Sequence, residues 1–449
     1  MDEFEYVEFL RENASDKDCL VYKGVAETTA NLIERVDKSA QNLRAAGVQQ
    51  GDVAILFGDY SPLSVSALLA MIEMAVIVAP ATRESRDMIL SLGDTIRPDW
   101  IVEAHGDEIT IEKQTYSSDP HDFFAQLKEQ KKPGLVLLTS GSTGTPKVVV
   151  HDFDKLLKKF SKTRTAVRTI NFLMFDHWGG LNTLFHCLAS QCVVVFPTER
   201  KPDYICSLIE THGVELLPST PTFLNMLVLS RAYERFDLSS LRLITYGAEP
   251  MPESTLAALR SVFPSVELRQ TYGLIELGVL QAKSKSSDSL WVKIGGSGYD
   301  IRIVDDLLEI KAESAMLGYL NAPSPFTEDG YFMTGDRVEC ADGYFRILGR
   351  DSDLINVGGQ KVFPAEVETV LLEHPQVTDA VVYGQKNPIM GQIVCAAVRV
   401  DENADTGSLK KALTTYSIER LEKFKVPVKF QITTDALHRD RFKRIRHWN

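Results

Sequence analysis

Leu137-Leu-Thr-Ser-Gly-Ser-Thr-Gly-Thr-Pro-Lys147, followed directly by Val148-Val-Val-His151, is the stretch on which the reading of this chain turns. An apolar run suited to a strand, residues 135–138, empties into hydroxyls and glycines and then returns to a β-branched run. Gly141 and Gly144 let the backbone turn its N–H groups inward as an anion-binding nest. Ser140, Ser142, Thr143 and Thr145 add hydroxyl donors, and Lys147 adds a fixed positive charge. Together they suit a polyphosphate. A flexible turn between two strands is the plainer alternative, and it leaves the proline and the lysine unexplained. The stretch is not a Walker loop, because Pro146 stands where that loop needs its second glycine and no Ser or Thr follows Lys147 to hold magnesium.

The surrounding composition narrows the class of protein. At 449 residues the chain exceeds one hydrophobic core, so two or three domains are expected. Forty-nine basic against 61 acidic side chains give a net charge of −12, which argues against a generic nucleic-acid or anionic-membrane binder. A local basic site for a phosphorylated ligand is still allowed. The six cysteines show no CxxC spacing and read as buried free thiols in a reducing compartment. The N-terminus carries no signal pattern, and a cytoplasmic protein is expected. Residues 65–78, the most apolar segment, are too few to span a bilayer and include Glu73; they predict a buried helix running into a strand.

Helical and strand-like patterns alternate along the first 270 residues. Residues 31–47 repeat apolar side chains at helical spacing and stop at Gly47; 53–57 predict a strand; 63–74 a helix; 75–79 a strand. After the glycine-rich loop, 154–165 predict a basic helix and 172–175 a strand ending at Asp176-His-Trp-Gly-Gly180. Residues 192–196, 213–217 and 241–245 are three further short apolar strands separated by helical patterns. The fold expected is α/β, with a large N-terminal domain of layered, largely parallel sheets and helices. The last hundred residues predict a small α+β unit with helices at 366–374 and 409–421 and strands at 377–383 and 393–400.

The pattern from Thr139 to Lys147 resembles the signature loop of the adenylate-forming superfamily: acyl- and aryl-CoA synthetases, peptide-synthetase adenylation domains and beetle luciferases. Further stretches resemble that superfamily's motifs in the same order. Tyr246-Gly247-Ala248-Glu249 matches a turn that passes over the adenine, and Gln270-Thr271-Tyr272-Gly273-Leu-Ile-Glu276 matches a motif whose tyrosine stacks on adenine and whose glutamate ligates Mg²⁺. Ile275 stands where the family has threonine. Leu317-Gly-Tyr-Leu320 follows, and Thr334-Gly-Asp336 implies a carboxylate for the ribose hydroxyls, a bare β-turn being the alternative. Arg350 implies a donor to ribose or α-phosphate, and Ser352 occupies the hinge position, usually Asp or Lys. Gly358 and Gly359 imply room for the pantetheine arm of a thiol acceptor. In Leu437-His-Arg-Asp-Arg-Phe-Lys443-Arg-Ile-Arg446, Lys443 takes the place of the catalytic lysine, although Phe442 replaces a glycine and the preceding Pro and Thr are gone; a plain basic tail is the alternative.

The resemblance implies an adenylation core over 1–349 and a mobile lid over 350–449, hinged near 350–353. It implies ATP and Mg²⁺ as cofactors and a carboxylic acid as substrate. The acceptor is then a thiol, with CoA favoured and a carrier-protein phosphopantetheine or an amine as alternatives. Asp176, His177, Trp178, Gly180 and Phe223 are expected to border the acyl pocket, with a structural role for His177 equally open. A nucleotide-binding protein without turnover, motivated by Ile275, Ser352 and the altered lysine motif, is the alternative from another class.

Overall fold

The structure is a computed structural model. It describes all residues except 1–3, 107, 117–120, 140–145, 164, 166, 402–405, 436 and 438–449, and the side chains at 406 and 407. Two seven-stranded sheets build the large part of the molecule. In the first, the strands Thr169–Ile170, Val194–Phe196, Leu216–Ser219, Leu243–Tyr246 and Glu267–Gln270 run parallel beside Asp18–Tyr22, and only the hairpin to Val25–Thr28 is antiparallel. In the second, Ile77–Ala81, Val53–Phe57 and Trp100–His105 are parallel, and Gly134–Thr139 joins them in parallel.

The helices follow local rules. Thr28 caps the helix Thr29–Ala46 by accepting from the Asn31 N–H, and Gly47 ends it at φ 101°, a left-handed angle that a side chain disfavours. Ser61 caps Pro62–Glu73, whose residues 64–72 are all buried, and the chain then enters the wholly buried strand Ile77–Ala81. These helices and Trp178–Ala189 share a single apolar core with both sheets: Leu32, Leu69 and Leu184 belong to it, as do Leu20 and Val194 of the first sheet and Leu56 and Leu137 of the second. Among the described residues no helix is long and apolar enough to cross a membrane.

Four features depart from the sequence expectations. Residues 172–175 are not a strand, because the Phe172 carbonyl that a neighbouring strand would use is taken by Arg200 Nε at 2.7 Å; the strand is Thr169–Ile170. The helix expected over 154–165 is shorter, Phe153–Leu157, continuing as a 3₁₀ turn at Lys158–Ser161. Five cysteines are buried and free as expected, but Cys340 is exposed near the end of the strand Phe332–Ala341. That strand belongs to a third, six-stranded antiparallel sheet that the α/β pattern did not announce. Beyond Arg350 a separate core, including Ile355, Val367, Val382, Ala396 and Leu413, forms around a five-stranded sheet and the helices Pro364–Leu372 and Thr406–Arg420.

Candidate functional site

Thr139 and Lys147 face each other in register at the open end of the antiparallel pair Gly134–Thr139 and Lys147–Asp152. The loop they hold, with Ser140, Gly141, Ser142, Thr143 and Gly144, lies outside the described residues. Its exit is clamped by Asn321, whose Oδ1 accepts from the Val148 N–H at 2.9 Å while its Nδ2 donates to the Pro146 carbonyl at 2.9 Å. Asn321 lies two residues beyond the short strand Gly318–Tyr319, which pairs with Lys147–Asp152.

The same strand carries Tyr319, which joins two predicted residues. Its hydroxyl donates to Glu276 Oε1 at 2.7 Å, and the Lys147 ammonium lies 4.8 Å from its ring centroid. The Lys147 charge and the Glu276 carboxylate therefore meet on opposite parts of one aromatic side chain. Burial, then the neighbouring Glu276 carboxylate, pushes the Tyr319 phenol up from its ordinary value, so it stays a donor.

Tyr272, Asp336 and Arg350 form a second chain of contacts. The Tyr272 hydroxyl donates to Asp336 Oδ2 at 2.6 Å, and Arg350 Nε lies 3.2 Å from Asp336 Oδ1. Tyr272 and Asp336 are 7% and 6% exposed, so the carboxylate is held in a largely dry place. Burial raises the Asp336 pKa against the lowering influence of Arg350 and Tyr272, and Glu276 adds to the rise. Burial opposes the charge of Arg350, but Asp336 and Glu276 together hold its pKa above the usual value. Asp336 lies within the strand Phe332–Ala341 and not on a turn, and its backbone is fixed by Thr334 Oγ1, which accepts from the Asp336 N–H and donates to the Leu308 carbonyl. Four separated motifs thus converge on one electrostatic cluster.

Carboxyl ends of parallel strands border ligand crevices in open α/β sheets. Here the first sheet places Tyr246 and the turn Gly247, Ala248, Glu249 beside Thr271, which bonds back to the Tyr246 carbonyl through both its N–H and its hydroxyl. A Cβ at Gly247 would lie 2.4 Å from Thr271 Oγ1, so only glycine allows this approach. Glu249 Oε1 accepts from the Thr222 N–H at 2.7 Å at the start of the helix Pro221–Ser230. Among the described residues, buried polar atoms without a hydrogen-bond partner gather at these strand ends: both amide atoms of Asn171, Ser219 Oγ, Thr222 Oγ1 and Gln270 Oε1. Unsatisfied buried polar groups are costly and call for a polar ligand or water.

The expected acyl-pocket residues divide. His177 caps Trp178–Ala189, its Nδ1 accepting from the Gly179 N–H at 3.1 Å, and Asp176 is buried beside it. Trp178 and Phe223 are core residues, Trp178 against Phe153 and Phe223 against Phe172 at 4.4 Å between ring centroids. Gly180 lets the helix approach the backbone: its Cβ would lie 2.4 Å from the Met174 carbonyl oxygen. Gly273 begins the short antiparallel pair of Gly273–Leu274 with Gly278–Val279 that leads to Glu276. Ile275 packs its side chain against the core, and its carbonyl is bonded by His151 Nε2 at 2.7 Å. Ser352 is exposed in a 3₁₀ turn whose Asp351 is held by Arg337 Nε at 2.7 Å. Gly358 and Gly359, at φ 59° and 88°, form the tight turn between Ile355–Val357 and Gln360–Val362. Lys443 lies outside the described residues. Tyr319, Asn321 and His151 were not singled out because a lone tyrosine, asparagine or histidine has no spacing signature, although Tyr319 and His151 lay inside quoted stretches.

The site sets Lys147 beside an acidic and basic cluster suited to a nucleotide, and comparison with known proteins agrees. A profile of the AMP-binding enzymes matches residues 8–332, and one of the AMP-binding enzyme C-terminal domain matches 366–442. The chain belongs to the AMP-binding enzyme family, the adenylate-forming ligases. A D-alanine–D-alanyl carrier protein ligase of Staphylococcus aureus (strain JH9) is 25% identical over 448 residues, covering 92% of this chain and 90% of the relative. The anthranilate CoA ligase AuaEII in complex with anthranoyl-AMP superposes with a TM-score of 0.81 at 20% identity, covering 99% of this chain and 96% of that one. The o-succinylbenzoate CoA synthetase MenE of Bacillus subtilis, with its acyl-adenylate OSB-AMP, gives 0.78 at 22% identity, covering 98% and 97%. At these identities the two structures are likenesses of fold.

Proposed function

We propose that this enzyme activates a small carboxylic acid with ATP and passes the acyl group to a phosphopantetheine thiol, on a carrier protein in preference to CoA. The observation that carries the reading is the convergence of Lys147, Glu276, Asp336 and Arg350 around Tyr319 and Tyr272. In the first step a carboxylate oxygen attacks the α-phosphorus, the bond to the β-phosphate breaks, and pyrophosphate leaves. Two anions must meet, so the protein's contribution is alignment and charge neutralisation. Lys147 and the loop from Thr139 to Gly144 neutralise the β- and γ-phosphates. Tyr272 and the turn at Gly247, Ala248 and Glu249 border the adenine, and Asp336 and Arg350 orient the ribose.

Among the described residues no group of three or more His, Cys, Asp or Glu side chains could hold a metal ion. A single buried carboxylate nonetheless fits Mg²⁺, which takes its other ligands from phosphate and water. Glu276 would hold it, and the ion would neutralise phosphate charge. Lys443 bridges the acid and the α-phosphate, and rotation at 350–353 then separates adenylation by the core from thiolation. In the second step the thiolate sulfur attacks the acyl carbonyl and AMP leaves. The carrier-protein acceptor is supported by the curated relative, similar over nine-tenths of both chains. CoA is the second reading, supported by the His177-x-Gly-Gly180 segment. A cytoplasmic location is supported by the six cysteines, which are free and show no CxxC spacing, as in a reducing compartment.

ATP–pyrophosphate exchange over a panel of aliphatic, aromatic and amino acids, with Lys443→Ala alongside, tests the reading. Exchange with one class of acid, lost in the variant, is expected. No exchange with any acid would favour a nucleotide-binding protein without turnover.

A further inference from the structure

The helix Trp178–Ala189 ends in a turn that brings two cysteines together. The Cys192 N–H donates to the Cys187 carbonyl at 2.8 Å, and the Gln191 N–H donates to the Leu188 carbonyl at 3.2 Å. Gln191 stands between them at a left-handed φ of 54°. In a helix end of this kind the side chains at the two ends of the longer bond pack against each other. Here both are cysteines. A backbone bond this short also keeps their Cα atoms within the roughly 7 Å that a disulfide can span.

The sulfurs meet as well. Both residues are buried, and the Cys187 thiol donates to the Cys192 sulfur. That sulfur also accepts from the Val167 N–H at 3.3 Å and faces the Ser190 carbonyl at 3.9 Å. The Cys187 contact lowers the Cys192 pKa to about 7, helped by the Val167 N–H and opposed by burial and the Glu215 carboxylate. The same contact, then burial, raises the Cys187 pKa. A thiolate is the form that attacks, and a second thiol beside it can resolve the product. Inert packing of two small apolar side chains is the alternative, and it requires no N–H aimed at a sulfur. Gln191, next in the chain, is exposed, so Cys192 lies one residue from the surface.

We propose that Cys187 and Cys192 are a peroxide-oxidisable pair that closes reversibly to a disulfide in the folded enzyme. The Cys192 thiolate attacks one oxygen of hydrogen peroxide, the O–O bond breaks, and hydroxide leaves and takes a proton to become water. Cys192 is then a sulfenic acid. The Cys187 sulfur attacks the Cys192 sulfur and gives up its proton, the S–O bond breaks, and a second water leaves. Two thiols are oxidised to one disulfide, and the peroxide is reduced to two waters. The bridge ties the end of the helix to the residues leading into the strand Val194–Phe196. It also spares Cys192 from irreversible oxidation beyond the sulfenic acid.

The test uses the full chain carrying Cys340→Ser, which removes the exposed thiol. The folded protein is treated with hydrogen peroxide, the peroxide is removed, and free thiols are alkylated in urea. Trypsin without reductant then releases residues 169–200 as one peptide holding both cysteines. This peptide is expected to lose two hydrogens and escape alkylation, and to regain both thiols with dithiothreitol, while Cys206 and Cys395 stay alkylated. In Cys187→Ala on the same background, the Cys192 thiol recovered by dithiothreitol should fall about 10-fold, with sulfinic acid in its place. Alkylation of both cysteines, at a peroxide dose that consumes Cys340 in the unaltered enzyme, would overturn the proposal. So would a bridge formed only when peroxide is added after unfolding. Full recovery of Cys192 in Cys187→Ala would show that Cys187 resolves nothing, which would overturn it equally.

Discussion

Tyr272 donates a 2.6 Å hydrogen bond to Asp336 across 64 residues of sequence, from one predicted nucleotide motif to the next. Each was expected to touch the ligand independently; the structure shows that they also hold each other. Tyr272→Phe therefore removes a donor from a buried carboxylate, which should cost about 1.5–3 kcal/mol of stability. Burial raises the Asp336 pKa, so the penalty should be complete where Asp336 is ionised and shrink as pH falls through that raised value. Urea denaturation at several pH values measures it, and a pH-independent penalty would show that packing, not the carboxylate, is responsible.

Asn321 bonds the backbone on both sides of Lys147. Asn321→Ala should leave the fold intact and raise the KM for ATP about 5- to 10-fold, the equivalent of about one net hydrogen bond. Pyrophosphate exchange at varied ATP measures this, and an unchanged KM would mean that the lysine is positioned without the clamp.

His151 is wholly buried, and burial lowers its pKa from 6.5 to about 4. Nε2–H donates to the Ile275 carbonyl, and Nδ1 has no hydrogen-bond partner among the described residues to receive a second proton. Between these values the unfolded chain binds a proton that the folded chain refuses, so stability declines as pH falls from 6.5 towards 4. The full loss is about 3 kcal/mol. His151→Gln keeps a donor for the carbonyl but does not titrate, and should flatten this part of the stability profile.

Gly180→Ala would place a methyl 2.4 Å from the Met174 carbonyl oxygen and 2.5 Å from the Tyr60 hydroxyl. Overpacking against backbone should cost about 1–3 kcal/mol. Thermal or urea unfolding of the variant checks it, and a neutral result would show that the turn before this helix can yield.

The layered α/β plan, the order of the nucleotide motifs and the family were all legible from the order of residues alone. Helical spacing, capping residues and short apolar runs are local, and so is a loop such as residues 139–147, whose glycines and hydroxyls advertise their chemistry by type. Tertiary structure alone decided which of these groups meet. Lys147 and Glu276 are joined through Tyr319, and Tyr272 and Asp336 through a direct bond, because strands distant in sequence are brought together by sheet pairing. It also decided that residues 172–175 leave the strand conformation, since Arg200 claims the Phe172 carbonyl from 28 residues away. Long-range partners such as these leave no periodicity in the chain, because a hydrogen bond depends on where two residues arrive and not on how far apart they began.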